Sequence, residues 1–399
     1  MMTLFRNRNF PTGFAIFAGL VTLLTLTLNM INGRFWLADF KVYYSAAQQL
    51  LAGGSVYLVS FDDGSGFYKY SPAILYFFLP YTLFSYKIAS VIHFFILGFV
   101  YFYTFQVIHD LLKKYFDFAR VRRDQLLISL AFICILLHFS RELYLGNINI
   151  AMLLFCCLGI RNFIDGRRYM GGLFLGLVFL SKPFFMILLI PLLLRKNRCA
   201  LSGIAVVLIS GILLPFLYPG PVRAINLYAD WFKTIFAHNT DYPGMNSLEY
   251  ILRHYLYPAM PAYAEYIIIL ATCLLAGWFI LSNLKREQTA GSDNEEHIRN
   301  ILFEWFILLA ILPNLLKTDW VQFVLSAPVI MYMIFYIARE KKFILIPLLV
   351  LLLFFFSANS DDLLGRGFSR KLLEMGMMGM SNIMLVAMAM VMYMKARKR

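Results

Sequence analysis

Apolar residues in this chain gather into long runs, and polar residues are confined to the short segments between them. Runs such as 14–30, 88–109 and 199–217 reach the ~17–25 residues that a helix needs to cross a hydrocarbon core of about 30 Å. The pattern predicts helical crossings at 14–30, 88–109, 125–140, 148–163, 199–217, 262–283, 301–316, 321–338, 343–357 and 377–394. Two further short crossings are expected within 169–194, broken at Ser181-Lys182-Pro183 because proline lacks the backbone N–H a helix interior requires. The run 72–85, which follows Ser71, is expected to be an interfacial or re-entrant helix.

The basic residues set the orientation. They cluster at Arg6/Arg8, Lys113 to Arg123, Arg161 to Arg168, Arg195 to Arg198, Lys285 to Arg299, Arg339 to Lys342 and Lys395 to Arg399. The positive-inside rule places every cluster on the cytoplasmic side, so each neighbouring pair is separated by an even number of crossings. The expectation is an all-α polytopic membrane protein with about 12 transmembrane helices, forming one integral membrane domain over 1–399. Its longer loops, 31–71, 218–260 and 358–375, then face outward, and those loops have the chain length to build a site.

Composition agrees. Hydrophobic residues make up 61% and charged residues 15%, against about 25% charged in soluble domains. The net charge of +14 does not imply a nucleic-acid partner, because the cations sit between apolar runs instead of forming one face. Cys134, Cys156, Cys157, Cys199 and Cys273 lie in or beside apolar segments without zinc spacing and read as small core residues. The first apolar run has no small-x-small site after it and reads as an uncleaved span rather than a signal peptide.

The first outer loop is the most patterned polar part of the chain. Phe40, Tyr43, Tyr44, Ala47, Leu50 and Leu51 recur at helical spacing, and Gly53 ends the run. Such a helix would lie in the interface, with Asp39 at its start. A carboxylate there can cap the helix. Equally, beside an apolar surface its pKa rises, which makes it a better base near neutral pH. The residue alone leaves both roles open.

The order Asp39-x-x-Val42-Tyr43-Tyr44-x-Ala46-Ala47, then Leu50-Leu51-x-Gly53, then Tyr70-x-Pro72 before an apolar segment resembles glycosyltransferase family 87. That family comprises polyprenol-phosphate-mannose-dependent mannosyltransferases of the C-type (GT-C) membrane superfamily. The resemblance continues in Gly146-Asn147-Ile148-Asn149, in the glycine-rich span from Gly172 to Lys182-Pro183, and in Asn246-Ser247-Leu248 followed by Arg253. Lys317-Thr318-Asp319-Trp320 resembles the family's later Trp segment. The family often carries histidine shortly after that tryptophan. This chain has Val321-Gln322-Phe323, and Gln322 is the residue there able to hydrogen-bond phosphate.

The resemblance implies a GT-C-like bundle in which Asp39 takes the proton of an acceptor hydroxyl while cations hold the departing lipid phosphate. One carboxylate opposite a leaving group gives a single displacement with inversion, since retention needs a second, nucleophilic carboxylate. The implied partners are a polyprenyl-phosphate sugar donor, a glycolipid or glycan acceptor, and membrane lipids. Lys69, Arg141, Lys182 and Lys317 are the candidate phosphate cations. Tyr70, Asn147, Asn149, Asn246, Trp320 and Gln322 are the other expected substrate contacts. No cofactor is expected. A divalent metal at Asp62-Asp63-Gly64 stays open, although Asp-Gly is also an ordinary turn. His93, His109 and His138 are expected to be packed, with His238 and His254 as the histidines worth testing. The rival classes are a transporter of lipid-linked sugar, favoured by broken helices, and a polysaccharide polymerase or ligase.

Overall fold

The computed structural model describes residues 12–61, 66–116, 118, 123–241, 244–261, 263–290, 294–317 and 320–397. Within them the chain is helical, and a single antiparallel bridge between Ser60 and Phe67 is the one β pairing among the described residues.

In chain order, α1 (Thr12–Ile31) and α2 (Ala38–Ala52) are followed by two 3-10 turns, Pro72–Phe77 and Leu79–Leu83. Then come α3 (Tyr86–Tyr115), α4 (Asp124–Ile133), α5 (Leu136–Leu145), α6 (Asn149–Ile164), α7 (Arg168–Ser181) and α8 (Leu189–Leu194). The next group is α9 (Arg198–Leu217), α10 (Pro221–Asp241), α11 (Leu248–Tyr255), α12 (Ala264–Ala290) and α13 (Asn294–Leu315). The chain ends with α14 (Ala327–Glu340), α15 (Ile346–Ser357), α16 (Asp361–Leu364), α17 (Arg366–Glu374) and α18 (Met377–Arg397).

Seven helices among the described residues are long and apolar enough to cross a membrane, and α4 with α5 makes an eighth if that pair, bent by 61°, is one span. The chain is thus a multi-pass membrane protein. The remaining expected crossings fall on shorter apolar helices: Asn149–Ile164, Arg168–Ser181, Pro183–Leu194 and Phe343–Ser357. At 1.5 Å per residue each covers less than the core thickness by itself. The break at Lys182-Pro183 is where the sequence places it, with Lys182 extended between α7 and a 3-10 turn. The apolar stretch after Ser71 forms the two 3-10 turns rather than one helix.

Helices α6, α7 and α9 pack almost backbone to backbone, and glycines are what permit it. A methyl group on Gly172 would lie 2.1 Å from the Ala200 carbonyl oxygen, and one on Gly203 2.4 Å from that of Tyr169. A methyl on Gly171 would lie 2.7 Å from the Gly159 oxygen. Small residues at such crossings replace the hydrophobic drive that lipid cannot supply. This three-helix slab carries Asn149 at the start of α6 and Lys182 at the end of α7.

Candidate active site

Asp39 owes its position to an unusual turn. Leu37, wholly buried, has φ +46°, in the left-handed region. That conformation costs a non-glycine residue about 1–2 kcal/mol. Tyr86 holds the turn by donating its hydroxyl to the carbonyls of Trp36 and, at 3.3 Å, Leu37. Asp39 is therefore the second residue of α2 and not its cap; the cap position is Leu37 and makes no side-chain cap bond. At the other end, Gly53 takes φ +81° and its N–H returns to Gln49 O. Arg223 of α10 donates to the carbonyls of Leu50, Gln49 and Gly54 there, the last at 2.8 Å.

The partner of Asp39 comes from the turn between α5 and α6. Gly146 has φ +69°, and the N–H groups of Gly146 and Asn147 both return to Glu142 O, at 2.8 and 3.2 Å. The Asn147 amide oxygen accepts from Ile148 N at 2.7 Å and from the Tyr70 hydroxyl at 3.4 Å. With its oxygen facing two donors, the amide must present its NH2 elsewhere. Asn147 Nδ2 donates to Asp39 Oδ2 at 2.6 Å.

Beside this pair lies a buried cation. Lys182 Nζ donates to Asn149 Oδ1 at 2.5 Å and sits 5.3 Å from the centre of the Tyr70 ring. Glu142, with no exposed surface, lies beneath them. Its carboxylate accepts from Tyr101 OH and from Ile150 N, both at 2.8 Å. Glu142 thus holds the Asn147 turn through its backbone and the start of α6 through its side chain. An acidic side chain at a helix N-terminus also meets the positive end of the helix dipole. Asn149 Nδ2 is buried without a hydrogen-bond partner, a donor with capacity for a ligand oxygen.

Tyr43, Tyr57, Tyr68 and Tyr70 pack around the same point. Tyr43 OH lies 3.3 Å from Tyr70 OH, and Tyr57 OH donates to Tyr70 O at 2.7 Å. Burial raises the pKa of all four above the ordinary phenol range. They remain neutral, so Asp39 and not a tyrosinate is the base-capable group of this cluster.

The structure thus joins Asp39, Asn147, Tyr70, Lys182 and Asn149 in one chain of contacts. The other expected contacts lie elsewhere or make other bonds. The Arg141 guanidinium stacks on Trp320, 3.2 Å from the ring centre. Gln322 keeps its amide oxygen buried without a hydrogen-bond partner. Lys69 has an exposed side chain, and its carbonyl accepts from Trp231 Nε1 at 3.0 Å. Lys317 pairs with Glu265 at 3.2 Å. Asn246 accepts from Gly379 N at 3.1 Å, and its own carbonyl accepts from Asn314 Nδ2 at 3.0 Å, so it stitches α13 to α18.

Asp62, Asp63, Asp319, Arg6, Arg8 and the His238 side chain lie outside the described residues. Among the described residues no group of three His, Cys, Asp or Glu is placed to hold a metal ion. His254 is exposed and stacks on Tyr250. The three histidines expected to be packed are buried, and His93 anchors Gly146 O at 2.9 Å while stacking on Phe40. Glu142 and Arg223 are the supporting residues that sequence pattern does not single out, whereas Gly146 belongs to the Gly146-Asn147-Ile148-Asn149 motif. Glu142 carries little signal in sequence, because it follows Arg141 in the short segment between the crossings expected at 125–140 and 148–163.

A bundle of apolar helices with a hydrogen-bonded carboxylate and a buried lysine at one end defines a multi-pass membrane protein with a partly buried polar site. The family model of glycosyltransferase family 87 matches residues 67–293, more than half of the chain. The chain belongs to that family and is a membrane glycosyltransferase. The matched stretch holds Tyr70, Asn147, Asn149 and Lys182, while Asp39, Lys317, Trp320 and Gln322 lie outside it. A comparison with curated proteins returns no match.

Proposed function

We propose that this protein transfers a sugar, mannose by its resemblance, from a polyprenyl-phosphate carrier to a hydroxyl of a glycolipid or glycan on the outer face of a bacterial inner membrane. The observation that carries the reading is the Asn147–Asp39 bond of 2.6 Å, set in one contact chain with the buried Lys182. Asp39 takes the acceptor proton, and Asn147 fixes which carboxylate oxygen faces the substrate. Lys182 neutralises the phosphate as its bond to the sugar breaks. The acceptor oxygen attacks from the face opposite the phosphate, which inverts the anomeric carbon. Lipid phosphate leaves as a stable anion, so no second carboxylate is needed as acid.

The test is transfer from a short-chain polyprenyl-phosphate mannose to a membrane glycolipid extract by purified wild type and Asp39→Asn. The expected result is a loss of at least about 100-fold with donor binding retained, in the range of a missing general base. Near-normal transfer by the variant would move the base to Asp62, Asp63 or Asp319.

A further inference from the structure

At the C-terminal ends of α3 and α6, the end of α3 opposite Tyr86 and the Leu37 turn, the structure holds a cavity of about 440 Å³. It is lined by Asp110, Lys113, Lys114, Tyr115, Arg161 and Asp165. This is the face to which the basic clusters assign the cytoplasmic side. Three cations and two carboxylates line it, so the wall carries an excess of one positive charge.

The pairing inside the cavity is uneven. Lys113 is committed to Asp124 at 2.6 Å. Asp165 alone faces three cations: Lys114 at 3.3 Å, Arg167 at 3.5 Å and Arg161 Nε at 3.8 Å. It also accepts from Tyr115 OH at 3.3 Å. Four donors fill the roughly four lone-pair sites of one carboxylate, and the three cation distances are longer than charge-assisted hydrogen bonds of about 2.7–2.9 Å. Arg161 Nη1 is, in addition, buried with no hydrogen-bond partner. A solvated cluster of surface charges would not leave a guanidinium N–H buried and unused, since that loss costs more than the bond itself supplies.

We propose that this cavity is a second anion site, separate from the glycosyl-transfer site, and that it binds a phosphate ester carrying one negative charge. The donors it offers are Lys114, Arg161 and the Tyr115 hydroxyl, with Arg167 beside Asp165. Its place at the ends of membrane-crossing helices, next to an aromatic residue, matches the depth of phospholipid headgroups. Lipid headgroup phosphate and free phosphate share this chemistry, and the experiment separates them.

Detergent-purified full-length protein is heated with added dioleoyl phosphatidylglycerol, with dioleoylglycerol, which lacks phosphate, or with inorganic phosphate at matched ionic strength. Phosphatidylglycerol is expected to raise the wild-type midpoint by at least about 2 °C through preferential binding to the folded state. Dioleoylglycerol is expected to leave it unchanged. In Arg161→Gln and in Lys114→Gln the rise should fall to half or less. The Lys114 side chain is 63% exposed, so the second variant keeps the test valid if Arg161→Gln fails to fold. An equal rise with inorganic phosphate supports the site and names soluble phosphate as its source. A wild type that responds to neither phosphate, or variants that respond as wild type does, would overturn the proposal.

Discussion

At the scale of single residues, the site depends on one amide being unable to turn around. Asn147 accepts from Ile148 N and Tyr70 OH with its oxygen, so its NH2 is committed to Asp39. Asn147→Ala should lower transfer about 10- to 100-fold, the loss of one hydrogen bond to a charged group. The Asp39→Ala variant then provides the control: adding Asn147→Ala to it should cost almost nothing more, because the two act as a unit. The tyrosine cluster predicts a second behaviour. Burial raises the pKa of Tyr43, Tyr57, Tyr68 and Tyr70, with Tyr57 hydrogen-bonded to Tyr70 O. In the unfolded chain these phenols ionise near pH 10. Above that pH the unfolded state holds fewer protons than the folded one, so stability is level to about pH 9 and falls beyond about pH 10. Thermal midpoints measured from pH 8 upward should show that fall, made shallower by Tyr57→Phe.

At the scale of elements, helix α2 was legible from its 3.6-residue period and its Gly53 stop, and its start was not. No propensity rule places a buried leucine at φ +46°; packing and the Tyr86 hydroxyl hold it there. The same limit applied to the two 3-10 turns after Ser71, which an apolar run cannot distinguish from a helix. Helix α10 falls within the outward loop that the apolar pattern assigns to 218–260, although its buried positions Ala224, Leu227, Trp231 and Thr234 lie at helical spacing and its Arg223 binds the end of α2. Gly146 shows how tightly the elements meet. A methyl group there would lie 2.7 Å from Phe40 Cβ and 3.2 Å from Leu37 Cβ, on a residue already at φ +69°. Gly146→Ala should push the α5–α6 turn away from α2 and cost about 1–3 kcal/mol of local strain. Transfer should drop at least tenfold while helical content by circular dichroism stays that of wild type. Full activity in this variant would mean that the turn does not set the Asp39–Asn147 distance.

Across the whole molecule, the bundle is tied at the end opposite Asp39 by a buried polar network. Arg195 and Glu304 pair at 2.7 Å, with side-chain exposures of 6% and 0%. Asn283 donates to Glu304 at 2.9 Å, and Arg397 donates to Asn283 at 2.7 Å. The network joins the α8–α9 turn to α12, α13 and α18. Removing one member of a buried pair strands the other charge, at a cost of about 3–5 kcal/mol. Glu304→Ala should therefore lower the unfolding midpoint markedly. Glu304→Ala with Arg195→Met should recover part of the loss, because no unpaired charge remains. An unchanged midpoint in Glu304→Ala would show that the pair is hydrated in the membrane-bound protein.

The sequence by itself determined that this chain is helical, crosses a membrane many times and breaks at Lys182-Pro183. Those features follow from local composition, since lipid demands long apolar helices and proline interrupts them wherever it falls. The sequence also showed the family, because the order of short motifs survives without knowledge of distances. Tertiary structure alone decided which polar residues meet. Asp39, Tyr70, Asn147 and Lys182 are far apart along the chain and come together only because glycine-lined helices pack closely enough to bring their ends to one place. The same packing gave Asn246 and Lys317, equally plausible in sequence, bonds to Gly379 and Glu265. Side-chain chemistry is written residue by residue, whereas proximity is a property of the packed whole.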